Sequence, residues 1–483
     1  MTSWHPELDR YRGPRYRAIA EALAADVREG RLPVGTRLPT HRDLAWRLKV
    51  TVGTVSRAYA EAERRGLISG EVGRGTYVRA PGVLTALPSL SVRDAAPERP
   101  GFIDLSLNYP MEGEESALLR RTLAEIAADG DVEELLRYQP PAGRARDRAA
   151  GAAWITHCTG GALETVPDRV VITDGGQHAI ASVFAGLVHA GDIVAVEAMT
   201  YPGMKVLAGL LGLRLAPVAM DEHGAIPESF AEICRAAPVK AFYVLPTLHN
   251  PTAAIMPVER RRAIAQIAAA HDVAIVEDDL YGFLLDRPPP PITAFAPSHG
   301  FYITAASKSW APGLRIGYVQ APAERVDRVV TAMRATTHMA TPLTAEIATR
   351  WIEDGSAVRI ADAKRDSAVR RQQFVRDAFA DEAAVRTHPC SFHFWLPLPP
   401  ETWRADDFAA AARRRGVGVL PTAAFAVGKA AGGVAAGNAG GAAPNGVRVC
   451  IGQVRSDEEV ERGLGILADL LHGAQAEPYL SVV

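Results

Sequence analysis

The stretch Ala80–Pro100, APGVLTALPSLSVRDAAPERP, does most to limit what this chain can fold into. Prolines at positions 81, 88, 97 and 100, and the absence of any helical period, make it a partly extended linker. It predicts separately folded parts, residues 1–79 before it and 101–483 after it. A prior of about 150 residues per domain agrees with dividing a 483-residue chain. Two smaller breaks follow. The run Pro288–Pro291 cannot continue a helix and marks a surface loop. Gly428–Gly446 is a Gly/Ala low-complexity insertion.

Before the linker the apolar period is helical. In Tyr16–Gly30, Ile19, Leu23 and Val27 fall four apart on one stripe, and Gly30 suits a C-cap. Thr40–Lys49 predicts a short second helix with Thr40 as N-cap and Leu44 and Leu48 inward. After a break at Val50–Val52, a third helix runs to about Arg65 with Val55, Tyr59 and Ala62 inward, and Gly66 ends it. Leu67–Ser69 and Thr76–Val78 read as two short strands, with Gly70, Gly73 and Gly75 turning the chain between them. Three helices and a hairpin make a winged helix-turn-helix. Its third helix would enter a DNA major groove through Thr51, Gly53, Thr54, Ser56 and Arg57. Arg42 is placed to grip the backbone, and Arg74 sits at the tip of the wing.

After the linker, apolar runs alternate with helical segments. Val170–Thr173, Ile193–Val196, Ala241–Leu245, Ala274–Val276 and Phe301–Thr304 read as strands. Gln177–Ala190, Gly203–Leu211, Val258–Ala270 and Ala323–Ala335 read as helices. Such alternation predicts an α/β domain with a mostly parallel sheet, whose functional loops lie at the carboxyl ends of the strands.

Composition narrows the class. Hydrophobic residues at 48% and charged residues at 22% exclude a disordered chain, a coiled coil and a fibrous repeat. No run of 18 apolar residues predicts a transmembrane helix, and Met1–Arg12 has no apolar stretch of a secretory signal. Cys158, Cys234, Cys390 and Cys450 lie far apart without a CxxC, which speaks against zinc or a disulfide framework and for a reducing cytoplasm. Residues 1–79 hold 15 basic and 9 acidic residues, a net of +6, and the remainder carries −8. A basic head on an acidic body points to an anionic polymer such as double-stranded DNA.

The chain has only six lysines, and Lys308 follows a strand within AASKSWAPGLRIGY. A Schiff-base lysine needs a rigid strand end, nearby hydroxyls and a cation for a phosphate, which Ser307, Ser309 and Arg315 supply. Thr173-Asp174-Gly175-Gly176-Gln177 ends a strand and opens a helix whose free amides suit a phosphate, though a plain glycine turn reads the same way. Asp278 in EDDLY ends another strand, where a buried carboxylate can keep a pyridine nitrogen protonated and a solvated acid would do nothing. Asn250-Pro251-Thr252 can present an amide to a phenolate, and Tyr201 can lie on a ring or simply fill the core.

The segment GRLPVGTRLPTHRDLAWRLKVTVGTVSRAYAEAERRGLISGEVGRGTYV resembles the GntR superfamily almost end to end. Val52 stands where some relatives carry an arginine. Residues 101–475 are similar to fold type I aminotransferases that use pyridoxal 5'-phosphate. The pieces come in that family's order: glycine-rich turn, stacking aromatic, NPT, DxxY, SK, Arg. The resemblance implies that Lys308 forms the internal aldimine and that Asp278 pairs with the pyridine nitrogen. It implies that Asn250 and Tyr281 contact the 3'-oxygen, and that Gly176, Gln177, Ser307 and Arg315 hold the phosphate. Tyr201 would stack on the ring, Tyr138 in RYQPPAGR would reach the phosphate of a neighbouring subunit, and Arg448 in GVRVCIG would bind a substrate carboxylate. Ala305 departs from the serine that relatives often carry three residues before the lysine, with Thr304 or Ser307 as substitutes.

The order winged helix, linker, aminotransferase-like domain resembles the MocR subfamily of GntR regulators. That implies a cytoplasmic homodimer that binds DNA and senses a small amino compound by external aldimine formation at Lys308. Three other readings stay open: a working aminotransferase of amino acid and 2-oxo acid with an accessory head, a sensor of the cofactor itself, and an interaction protein with a dead site.

Overall fold

Thr40 has extended backbone, and its hydroxyl accepts from the Asp43 amide at 3.2 Å in a computed structural model of the protein. The second helix thus begins where the sequence places a cap. The described residues are 14–28, 31–33, 35–64, 67–71, 75–78, 101–109, 113–128, 131–382, 384–428 and 444–473, with Trp4, Pro6, Leu8 and Tyr11. The linker 80–100, Arg74, Gly30, Gly66 and most of the Gly/Ala insertion lie outside them. The chain divides into two units, Met1–Ala96 and Pro97–Val483.

In the first unit, helices α1 (Arg15–Arg28), α2 (His41–Leu48) and α3 (Val52–Arg64) precede the hairpin β1 (Ile68–Glu71) and β2 (Gly75–Val78). The hairpin is antiparallel, with Ile68 opposite Val78. Ile19, Leu23, Leu44, Val55, Tyr59 and Ala62 are buried together as their spacing predicts. The buried Tyr59 hydroxyl donates to the Pro39 carbonyl at 2.9 Å, tying α3 to the approach of α2. This is the expected winged helix-turn-helix.

The second unit opens with β3 (Ile103–Asp104), α4 (Glu115–Ala128), α5 (Val132–Leu135) and α6 (Ala145–Cys158). The strands that follow are β4 (Val170–Thr173), β5 (Ile193–Glu197), β6 (Arg214–Val218), β7 (Met220–Asp221), β8 (Gly224–Ala225), β9 (Val239–Val244), β10 (Ala274–Asp278), β11 (Gly300–Ala305) and β12 (Gly317–Gln320). Seven of them make one sheet in the order β4-β12-β11-β10-β9-β5-β6. All neighbours from β11 to β6 are parallel, and β12 is antiparallel to both β11 and β4. Six strands therefore run one way and β12 runs against them. Side chains alternate between two buried faces: Val194 and Val196 join one cluster, Ile193 and Ala195 the other.

The expected strands and helices form within a few residues of their predicted bounds. The helix read as Ala323–Ala335 opens with a 3₁₀ turn, Ala323–Arg325, and becomes α-helical over Val326–Thr336. Two strands of this large sheet escaped the reading. β6 contains Pro217, which reads as a breaker and is tolerated because β6 is an edge strand. β12 is hidden inside the motif that follows Lys308.

A smaller C-terminal part carries β13 (His393–Pro397), β14 (Val417–Gly418), β15 (Leu420–Pro421) and β16 (Gly446–Cys450), with β16 between β13 and β15. β3 pairs with β14, so the segment after residue 104 is fastened to this part before it crosses toward the large sheet. The buried Arg371 donates to the carbonyls of Ile451, Gly452 and Val454 and to Asp457, which fixes the chain just beyond β16. Among the described residues no helix is long and apolar enough to cross a membrane.

Gly151 faces the sheet from α6, where an added Cβ would lie 2.5 Å from the ring of the buried Tyr318. Gly151→Ala is expected to destabilise the protein by roughly 1–3 kcal/mol through overpacking. A urea unfolding midpoint unchanged from wild type would refute that packing argument.

Candidate functional site

Five strands that run the same way deliver their carboxyl ends to one edge of the sheet. β4 ends at Thr173 before the glycine turn, β5 before Tyr201, β9 before Asn250, β10 at Asp278, and β11 at Ala305 just before Lys308. β12 runs the other way, so its amino end lies on the same edge and brings Arg315, two residues upstream, to the glycine turn. The topology thus gathers residues scattered over 140 sequence positions, from 174 to 315.

At the phosphate-type corner, Gly175 has φ +85°, and Gly176 opens the 12-residue helix α7 (Gly176–Leu187). The first amides of a helix have no partner within it, so this end suits an anion. A Cβ at Gly175 would lie 2.8 Å from the Arg315 guanidinium, so glycine lets that cation lie against the turn. Arg315 itself has φ +51° and donates to the Asp174 carbonyl at 3.0 Å. Gln177 donates to the Gly203 carbonyl at 3.2 Å, and its buried Oε1 has no partner. Gly203 leaves room for both the Gln177 amide and the Tyr201 ring, which a Cβ would strike. Burial pushes the Tyr201 phenol up to about 12. The Thr304 hydroxyl is turned toward Cys158, while the Lys308 turn itself carries Ser307 and Ser309, whose buried hydroxyl donates to the Ala305 carbonyl at 3.4 Å.

Asp278 is buried, and its Oδ2 accepts from the Tyr243 hydroxyl at 2.5 Å. Among the described residues its Oδ1 has no partner. Burial pushes this carboxyl up to about 7, against the opposing effects of the Tyr243 bond and the Lys308 charge. Asn250 Oδ1 accepts from Arg448 Nη1 at 2.8 Å, which turns its amide nitrogen the other way. Arg448 Nη2 donates to the Ser106 carbonyl at 2.6 Å, while Nε is buried without a partner. A carboxylate gripped side-on by Nε and Nη2 would therefore replace the Ser106 carbonyl.

Lys308 Nζ donates to the Asn108 carbonyl. Burial, then the nearby Arg448 charge, pulls its amine down to about 8. Asn108 also donates through Nδ2 to the Tyr281 hydroxyl at 2.9 Å. Tyr138 is 82% exposed and sits edge-on to His338 at 5.0 Å, so within one chain it is a surface residue.

Asn108, Tyr243 and His393 were missed by the sequence reading. Tyr243 and His393 lie in apolar strand runs that look like core, and Asn108 lies in SLNYP, which has no period.

In the first unit, Arg42, Thr51, Gly53 and Arg57 are exposed and Thr54 and Ser56 are half-buried. Thr51 Oγ1 accepts from the Thr54 amide at 3.2 Å and lies 2.8 Å from the Thr54 hydroxyl, so it caps α3. Ser56 pairs with His41 at 3.1 Å, which joins the recognition helix to the start of α2.

The family described as aminotransferase class I and II matches residues 100–467, and the bacterial regulatory proteins of the gntR family match residues 15–78. The chain is 32% identical over 474 residues to the HTH-type transcriptional regulator YdeF of Bacillus subtilis, covering 97% of each. It is 29% identical over 384 residues to the probable rhizopine catabolism regulatory protein MocR of Rhizobium meliloti, covering 75% of this chain and 76% of that one. The fold matches a kynurenine aminotransferase of Pyrococcus horikoshii with a TM-score of 0.70 at 22% identity, over 81% of this chain and 96% of that one. The chain belongs to the GntR-type transcriptional regulators of the MocR subfamily, in which a DNA-binding winged helix is joined to an aminotransferase class I and II domain.

The cofactor that this family implies is pyridoxal 5'-phosphate. The residues present fit it. The unpartnered Oδ1 of Asp278 is an acceptor awaiting a protonated nitrogen, and an unpaired buried acceptor costs about 1–3 kcal/mol.

An amine reacts with an aldehyde only when unprotonated, so a lowered pKa moves reactivity to lower pH. In cofactor-free protein, reductive methylation of Lys308 read by mass spectrometry should rise through a pH of about 8. Exposed lysines should follow near their ordinary value of about 10.4. A Lys308 profile that tracks the exposed lysines would sink this assignment.

Proposed function

We propose that the protein is a homodimeric, pyridoxal 5'-phosphate-dependent DNA-binding regulator that senses a small amino compound at Lys308. In this reading residues 1–79 are the DNA-binding head, 80–100 the linker and 101–483 the effector domain. The observation that carries it is one chain with both devices: an exposed recognition-helix start, and a pocket where the Lys308 amine and the unpaired Asp278 carboxylate oxygen belong to one electrostatic cluster.

When bound, the cofactor supplies an electron-withdrawing ring and a carbon that exchanges one amine for another. Lys308 would hold it through its amine, at the position for which an effector amine would compete. Asp278, kept in place by Tyr243, holds the proton on the ring nitrogen. Asn250 and Tyr281 bind the 3'-oxygen, and Gly176, Gln177, Ser307 and Arg315 hold the phosphate. Tyr201 covers the ring, Tyr138 reaches the partner subunit's phosphate, and Arg448 grips an effector carboxylate. On the DNA side, Arg42 grips the backbone and Arg57 contacts phosphate or guanine while Thr54 and Ser56 sit at base edges, with Thr51 holding the helix start and Arg74 probing from the wing. An effector that favours one arrangement of the two units respaces the heads, because paired half-sites are read only at a matching separation.

A second reading, an active aminotransferase with a regulatory head, draws on the same complete set of cofactor-type residues. Footprinting of the cofactor-loaded protein upstream of its own gene, with and without amino compounds, separates the two. Paired protected half-sites that change with an amine are expected. Arg57→Ala should weaken binding and lower the salt slope by about 1. Lys308→Ala should keep the footprint and lose the response. An intact response in Lys308→Ala excludes sensing at this lysine. No footprint, together with repeated turnover of an amino donor and a 2-oxo acid, supports the enzyme.

A further inference from the structure

The buried hydrogen bonds behind Tyr281 admit only one arrangement of protons. His393 on β13 is fully buried, and its Nε2 lies 3.0 Å from the main-chain carbonyl of His249. A carbonyl only accepts, so Nε2 carries the hydrogen. Burial pushes the imidazole down to about 3, so it is neutral and Nδ1 is a bare acceptor. The Asn108 side chain meets that nitrogen at 3.1 Å and the Tyr281 hydroxyl at 2.9 Å with the same terminal atom. Only the amide nitrogen can face a bare acceptor. Its two hydrogens then go to His393 Nδ1 and to Tyr281, and a flipped amide would set oxygen against a lone pair. The Tyr281 hydroxyl thus receives from Asn108, and among the described residues it has no acceptor of its own. Its proton is left for a group outside the chain, and an O–H that accepts a bond donates a stronger one.

We propose that Asn108, oriented by His393, is a positioning residue that aims the Tyr281 proton at the 3'-oxygen of the bound cofactor and strengthens that bond. The proposal rests on the reading that Tyr281 faces this oxygen. Asn108 belongs to the site on a second count, since its main-chain carbonyl accepts from Lys308. The titratable and charged groups around Tyr281 are Arg448, Cys450, Asp278 and Tyr201, with His393 ring-to-ring at 5.6 Å. None of them accepts its proton among the described hydrogen bonds. A stronger bond to the 3'-oxygen stabilises negative charge there. It lowers the pH at which the cofactor's linkage to Lys308 loses its proton.

The test is an absorbance pH titration of the full-length, cofactor-loaded protein. His393→Phe keeps a ring but removes the acceptor, and Asn108→Ala removes the donor. Both should raise the titration midpoint by about 0.5–1 pH unit, the size expected for one hydrogen bond. In a Tyr281→Phe background neither should add a further shift. Asn108→Ala carries the test if His393→Phe does not fold. An unchanged midpoint in the single variants overturns the proposal, as does an equal shift with and without Tyr281. Wild-type protein that loads cofactor but shows no pH-dependent band, or that keeps its band in Lys308→Ala, removes the underlying reading of the site instead.

Discussion

At the carboxyl end of β10, Asp278 is held out of water with one oxygen bonded to Tyr243 and the other, among the described residues, without a partner. Removing a carboxylate from water is unfavourable unless its lone pairs are met. The surrounding structure meets half of that need and leaves the rest for a ligand. Tyr243 comes from the neighbouring parallel strand β9. The same burial that raises the Asp278 carboxyl lowers the Lys308 amine. Both groups therefore sit near neutrality, the condition for exchanging protons and amines at ordinary pH.

Holding that pocket in shape takes more than the large sheet. Residues 105–109 follow β3, which pairs with β14 in the C-terminal part. From there Ser106 and Asn108 present carbonyls to Arg448 and Lys308, and the Asn108 side chain reaches Tyr281 and His393. Arg371 anchors the chain beyond β16, the strand that carries Arg448.

The DNA-binding unit is built on different physics. Its core is a small apolar cluster closed by helix caps and one buried tyrosine bond. Its reading face is short and polar, with Thr51 spent on capping α3 and Arg42 and Arg57 left exposed. Val52, at 45% exposure, presents an apolar side chain where some relatives carry an arginine.

By itself the sequence determined the two parts, the helical stripes and caps of the head, the α/β alternation, and the motifs around Lys308, Asp278, Asn250 and Arg448. These depend on local rules: a period of 3.6 or 2, a capping hydroxyl, a glycine where φ is positive. Tertiary structure alone decided which polar atoms are paired and which are left over. Tyr243 and His393 look like core residues in apolar strands until the sheet places one against Asp278 and the other against Asn108. Thr304 and Ser307 were equal candidates until strand alternation turned Thr304 toward Cys158. Asn108 and Tyr281 are 173 positions apart, and Asn108 and His393 are 285 apart. No local pattern encodes such a bond, because its partners are set by how the strands and the C-terminal part come together.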